Sequence, residues 1–186
     1  MQARLFPQKR PPAKTRDYAG ACIQARHVGG DDFDFLDLGH NQLGPVLADI
    51  AGKGIAAALL MANLQANLHS QCAIACDQPQ QFLRSVNQLF CENTADADYA
   101  TFFFAEYGDA MRRLRYANCG HLSALLLRRD STVEGLESTA TVFGLFETWS
   151  CSVEERQLVP GDALALCSDG ITESLNDIGE GSANHA

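Results

Sequence analysis

The chain has 186 residues, 46% of them hydrophobic and 20% charged, which suits one globular domain with a sizeable core. A formal net charge of -9 and a pI near 4.9 exclude a nucleic-acid or anionic-membrane surface, because phosphate-backbone binding needs clustered cations. Membrane insertion is excluded too: no stretch approaches ~18 consecutive apolar residues, and the nearest, residues 55–61, is soon interrupted by Asn63 and Gln65.

Residues 1–16 run against the acidic average. Arg4, Lys9, Arg10, Lys14 and Arg16 stand there without an acid, among Pro7, Pro11 and Pro12, and read as a solvated linker ahead of a domain at 17–186. No apolar run follows the basic start, so this is not a signal peptide. Residues 17–26 read as a strand. From Phe33 to Leu38, aromatic or aliphatic residues alternate with acids, the period-two signature of a half-buried strand. A turn at 39–42 leads to a more continuously apolar strand at 43–50, giving a hairpin whose second member lies deep in a sheet.

After Gly52-Lys53-Gly54 the period becomes helical, with Ile55, Leu59, Ala62 and Ala66 in an alanine-rich segment free of proline. A second helix is expected to open at Asp77, with Pro79 in its first turn and Phe82, Leu83, Val86, Leu89 and Phe90 as its buried stripe. Strands then return at 99–107, 114–117, 122–127, 152–158 and 163–167, separated by glycine, proline and polar turns. Strands, two helices, then strands is an α+β order. The lack of βαβ alternation argues for antiparallel sheets with helices packed outside.

The seven cysteines, Cys22, Cys72, Cys76, Cys91, Cys119, Cys151 and Cys167, are odd in number and form no C-x-x-C pair. Free thiols in a reducing cytoplasm fit that pattern better than crosslinks. Cys72 and Cys76 share a helix face but lack a second metal-binding pair nearby, so buried thiols are the better reading.

Aspartates gather where strands end. Asp31, Asp32 and Asp34 follow Gly29-Gly30, Asp49 precedes Gly52-Lys53-Gly54, and Asp169 adjoins Gly170. One such motif would be turn chemistry or a helix cap. Three at the ends of apolar strands point to a shared polar focus, and clustered carboxylates need a hard, oxygen-seeking cation such as Mg2+ or Mn2+ to stay together. The competing motifs are weaker. The phosphate-loop pattern is absent because Lys53 precedes a glycine, there is no G-x-S-x-G elbow, and Cys119 near His121 has no orienting acid.

Residues 28–35 (VGGDDFDF), 48–54 (ADIAGKG), 114–121 (LRYANCGH) and 167–173 (CSDGITE) closely resemble, in order, four motifs of the SpoIIE/RsbU-like serine phosphatases of the type 2C (PPM) superfamily. These bacterial enzymes reset phosphorylated regulatory proteins. The resemblance implies an αββα sandwich of two antiparallel sheets flanked by helices, with two Mn2+ or Mg2+ ions where the sheet ends meet. It implies that Asp49 bridges both ions, that Asp31 and the Ile50 carbonyl serve one, and that Asp169 serves the other. Asp32 and Asp34 would orient metal-bound waters. The reaction implied is attack on a phosphoserine or phosphothreonine by a water activated between two cations, with no covalent phosphoenzyme. Asn118 and His121, though inside a motif, read as turn-forming or structural. His27, His40, His69 and His185 have no motif behind them.

The resemblance also implies an upstream sensory or receiver region reached through the linker, and a phosphorylated STAS-type anti-sigma-factor antagonist as the partner. Family members continue for roughly fifty further residues to an Asp-Asp-x-Thr strand that supplies a last carboxylate. None follows here before Ala186, so the second metal site is expected to lack one ligand unless Glu173 or Asp177 replaces it. A shortened sheet is further expected to expose an edge that homodimerisation or domain exchange would cover. The alternative function is a phosphoprotein-binding module of the same fold without turnover.

Overall fold

The computed structural model describes residues 2–8, 10–12, 14–24, 28–75, 78–95 and 98–172. Its first two strands are the hairpin that the alternating pattern predicts: β1 (Asp31–Asp37) and β2 (Gln42–Ile50) pair antiparallel. Gly39, His40 and Asn41 all adopt positive φ in the turn, which closes when Gln42 N–H donates to the Gly39 carbonyl at 2.7 Å. Helices α1 (Ile55–Ala75) and α2 (Pro79–Glu92) follow, then β3 (Ala100–Gly108), β4 (Arg113–Cys119), β5 (Ala124–Leu127), β6 (Val133–Leu136), β7 (Glu154–Gln157), β8 (Ala163–Ala165) and a short α3 (Asp169–Thr172).

The strands form two antiparallel sheets, one ordered β1-β2-β3-β4-β7 and one ordered β6-β5-β8. β3 explains why they stack. Its Phe102 and Phe104 point to the helices, while Phe103, Ala105 and Tyr107 point to the second sheet, and Phe102, Phe103 and Phe104 are almost wholly buried. Burial of each such ring contributes about 1.5–3 kcal/mol, so one strand anchors two cores. The helix-side core gathers Met61, Leu64 and Leu68 of α1 with Phe82, Val86 and Phe90 of α2. The inter-sheet core joins Tyr116, Leu126 and Leu136 to Leu47, Leu158 and Leu164.

This is the expected α+β double-sheet sandwich. Among the described residues the helices flank only the five-stranded sheet, and Leu125, Leu127 and Val133 of the other sheet are exposed.

Several local expectations change. Residues 17–24 form no strand; Tyr18 instead packs on Phe35 with ring centroids 4.5 Å apart. The stretch read as a solvated linker lies on the domain: Phe6 stacks on Phe33, and Arg16 pairs with Asp109 at 2.6 Å. The α1 face is also different. Ile55 and Leu59 are exposed, and Ala57, Met61, Leu64, Leu68 and Cys72 form the buried stripe, because a helix rich in apolar residues all round carries no clear sequence signal for its inner face. β6 arises within the polar 128–139 stretch, where Glu134 is held by Arg128 at 2.9 Å and Arg156 at 2.5 Å. His27, Cys76, Asp77, Glu173, Asp177 and His185 lie outside the described residues.

Candidate metal centre

Antiparallel register sets Asp31 directly opposite Asp49. Opposed residues project from the same face, with Cβ atoms about 4.5–5.5 Å apart. That face is the inter-sheet one, since Leu47, two residues before Asp49, packs on the inter-sheet core. The preceding glycine sharpens the approach. A Cβ on Gly30 would stand 2.8 Å from the Ile50 carbonyl oxygen, so only glycine lets the start of β1 run this close to the end of β2. The Ile50 N–H donates to the Gly30 carbonyl at 3.4 Å across the same gap.

Asp169 arrives from the other sheet, as the first residue of α3 a few positions after β8. Its charge reaches the pair: the Asp49 carboxyl is pushed up to about 6 by burial, by Asp31 and by Asp169. Asp31 Oδ1 is buried with no hydrogen-bond partner. A buried orphaned carboxylate oxygen opposite Asp49, with Asp169 acting on that same Asp49 carboxyl, is a donor set that suits a hard divalent cation. The three lie around one edge of the sandwich; among the described residues, no three His, Cys, Asp or Glu side chains converge closely enough to close a cage.

Asp32 and Asp34 do not join them. The pleat turns both to the helix-covered face, where Asp32 Oδ1 meets Gln65 Nε2 at 3.4 Å and Asp34 Oδ2 meets His69 Nε2 at 2.7 Å. Asp32 Oδ2 has no partner, and burial, with the Asp34 charge second, pushes the Asp32 carboxyl up to about 8. The expectation that these two orient metal-bound waters is therefore corrected. They face the wrong side of the sheet. Gln65 also donates to the Leu5 carbonyl at 2.7 Å, and the Gln2 side-chain amide pairs with both Gly29 N–H and Gly29 C=O, at 3.0 and 2.8 Å. The segment ahead of Asp31 is thus held from the N-terminus.

Asn118 is the turn-former expected of it: its Oδ1 accepts from His121 N–H at 2.9 Å, and its Nδ2 donates to the Leu136 and Leu122 carbonyls at 3.1 and 3.3 Å. His121 is buried, with Nδ1 2.7 Å from Thr101 Oγ1 and Nε2 3.2 Å from the Cys167 carbonyl. Burial lowers its pKa, against the upward pull of the Cys167 carbonyl, Asp31 and Asp169. Cys119 is no nucleophile: burial, with Cys151 second, drives its thiol pKa well up. Lys53 is exposed, between Gly52 and Gly54 at positive φ. Sequence reasoning missed Gln65, His69 and Thr101. The first two stand four apart in α1, a spacing that puts them on one helix face; Thr101 carried no signal.

Two stacked antiparallel sheets with carboxylates at one edge define a type 2C phosphatase-like fold. The PP2C phosphatase domain of SpoIIE from Bacillus subtilis superposes with a TM-score of 0.67 at 22% identity, over 78% of this chain and 42% of that one. The RsbU and RsbW domains of a Mycobacterium tuberculosis protein superpose with a TM-score of 0.71 at 26% identity, over 82% of this chain and 42% of that one. The chain belongs to the SpoIIE family, described as stage II sporulation protein E, whose model matches residues 39–185. It is similar to the phosphoserine phosphatase RsbU of Bacillus subtilis (strain 168), 27% identical over 180 residues. That match covers 96% of this chain and 53% of RsbU, so the chain spans about half the length of that relative.

Proposed function

We propose that this domain is a metal-dependent protein serine/threonine phosphatase that dephosphorylates a phosphoserine or phosphothreonine in a STAS-type regulatory protein. The observation that carries the reading is the register of Asp31 against Asp49, with Asp169 close enough to raise the Asp49 pKa. In this reading Asp49 would help hold both cations, one with Asp31 and the Ile50 carbonyl and the other with Asp169. Bound Mn2+ or Mg2+ would supply charge neutralisation at the phosphoryl group and a more acidic water. The chain's own groups hold and orient. Asp31 and Asp49 leave a rigid hairpin, which fixes their separation better than loop residues could, and Gly30 keeps the Ile50 carbonyl accessible. A cytoplasmic location belongs to the same proposal and fits the free thiols of Cys22, Cys91, Cys119, Cys151 and Cys167.

The test is phosphate release from an aryl phosphate and from a phosphoserine protein, with chelator and then with added Mn2+ or Ca2+. Turnover should vanish with chelator and return with Mn2+ better than with Ca2+, because an octahedral, water-retaining cation suits this donor set. Chelator-insensitive turnover would sink the proposal. The second reading, a phosphoprotein-binding module without turnover, draws on the exposure of Asp169 and the open arrangement of the three carboxylates. Tight binding of the phosphoprotein with no phosphate release at any metal concentration would favour it.

A further inference from the structure

The candidate centre is divided between two sheets, and something must hold its halves in register. Asp31 and Asp49 belong to the five-stranded sheet, whereas Asp169 follows β8, whose ladder partner is β5 in the other sheet. We propose that His121 is the positioning residue that docks the Asp169 segment onto the Asp31–Asp49 pair; this rests on Asp169 being a metal ligand.

Three observations carry it. The His121 ring reaches both halves: Nδ1 lies 2.7 Å from the hydroxyl of Thr101, which stands opposite Asp49 in the β2–β3 register, and Nε2 lies 3.2 Å from the carbonyl of Cys167, two residues before Asp169. The bonding fixes the tautomer. A carbonyl only accepts, so Nε2 carries the hydrogen and donates to Cys167, and Nδ1 of the neutral ring accepts from Thr101. Both nitrogens are engaged, leaving no lone pair for a metal, so His121 acts through the segment it holds.

The ring is also aimed by its own turn. Gly120 has φ +71, and a Cβ there would meet Val142 Cγ1 at 2.5 Å, while Asn118 Oδ1 accepts from His121 N–H and Asn118 Nδ2 reaches the Leu136 carbonyl of β6. The backbone of His121 is thus tied to both sheets before its side chain makes the last connection.

The experiment compares wild type, His121→Ala, His121→Gln and Thr101→Val by amide hydrogen exchange without metal and by calorimetric titration with Mn2+. A glutamine amide can donate to one oxygen and accept from another, as the ring does. His121→Ala should speed exchange at residues 168–171 and weaken one of two Mn2+ sites by about 10–100-fold, leaving the other unchanged. Thr101→Val should move both readouts the same way by less, and His121→Gln should restore them. Unchanged exchange at 168–171 in His121→Ala overturns the proposal. So does an equal weakening of both sites, which would mark His121 as a general core residue. If His121→Ala does not fold, His121→Gln and Thr101→Val decide: full protection at 168–171 in Thr101→Val together with wild-type Mn2+ affinity overturns it. Wild type that binds no Mn2+ would overturn the phosphatase reading instead, while metal-free exchange still decides whether the tie exists.

Discussion

β1 carries aspartates on both of its faces, and the two sets meet opposite surroundings. Asp31 faces the gap between the sheets, opposite Asp49, and its charge reaches His121, as does that of Asp169. Asp32 and Asp34 face α1, where Gln65 and His69 receive them. Residue type and position in the chain are nearly the same; the pleat alone separates a candidate ligand from a buried structural carboxylate. The lesson is that an acidic motif in a strand must be read two residues at a time, because neighbours in sequence are on opposite sides of the sheet.

The largest expected effect tests that division directly. Asp49→Asn should lower Mn2+-dependent turnover of an aryl phosphate by about 100-fold or more, and Asp31→Asn should follow closely, while Asp34→Asn should stay within a few-fold of wild type. An Asp34→Asn loss as severe as that of Asp31→Asn would break the assignment of faces.

A second contrast concerns buried carboxylates with and without partners. Asp109, on the β3–β4 turn, accepts from Thr15 Oγ1 at 2.5 Å and pairs with Arg16 at 2.6 Å. Burial pushes its pKa up, but the Thr15 hydroxyl, the Arg16 charge and the Lys14 amide outweigh this and hold it low. A carboxyl held below its unfolded pKa adds stability above that value and loses it as pH falls through the folded one. Below about pH 4 the tether of residues 14–16 should therefore weaken, seen as faster amide exchange in that segment. Asp109→Ala should cost about 1–3 kcal/mol in a denaturant melt at neutral pH and should remove the acid dependence.

Asp32 should behave in the reverse sense and by less. Its Oδ2 is buried without a partner, so the neutral isostere Asp32→Asn, whose amide can donate to Asp34, should raise stability by about 1 kcal/mol, or roughly 2–4 °C in thermal midpoint. A lower midpoint would mean that the charged form of Asp32 is held by something beyond Gln65.

The hairpin was legible because Phe33 to Leu38 alternate and Gly39-His40-Asn41 break the pattern, and its register then places Asp31 against Asp49. The segregation of Asp32 from Asp31 was legible as well, since period two alone demands it, yet the gathering of aspartates beside glycines at strand ends drew all three acids to one focus. β6 was not legible: Val133-Glu134-Gly135-Leu136 has little apolar content, and cross-strand ion pairs from Arg128 and Arg156 hold Glu134. The inner face of α1 was hidden by apolar residues all round it. The strand expected at 17–26 failed because strand propensity needs a ladder partner, and Thr15, Arg16 and Tyr18 are committed to Asp109, Tyr107 and Phe35 instead. The role of His121 could not be read from its motif, because its partners Thr101 and Cys167 are 20 and 46 residues away.

That last separation bears on the order in which the centre forms. The Asp31–Asp49 half belongs to one hairpin with a tight turn, a local structure that closes at small entropic cost. The Asp169 half must wait until β5, β6 and β8 have paired and the second sheet has settled on the first, so it depends on contacts of long sequence separation that form slowly. The hairpin is then a template present early in folding, and the junction at His121 is among the last pieces to arrive. A chain that stalls late on this route would carry one half of the centre fully shaped and the other unanchored, and its capacity for metal would grow in two steps as folding completes.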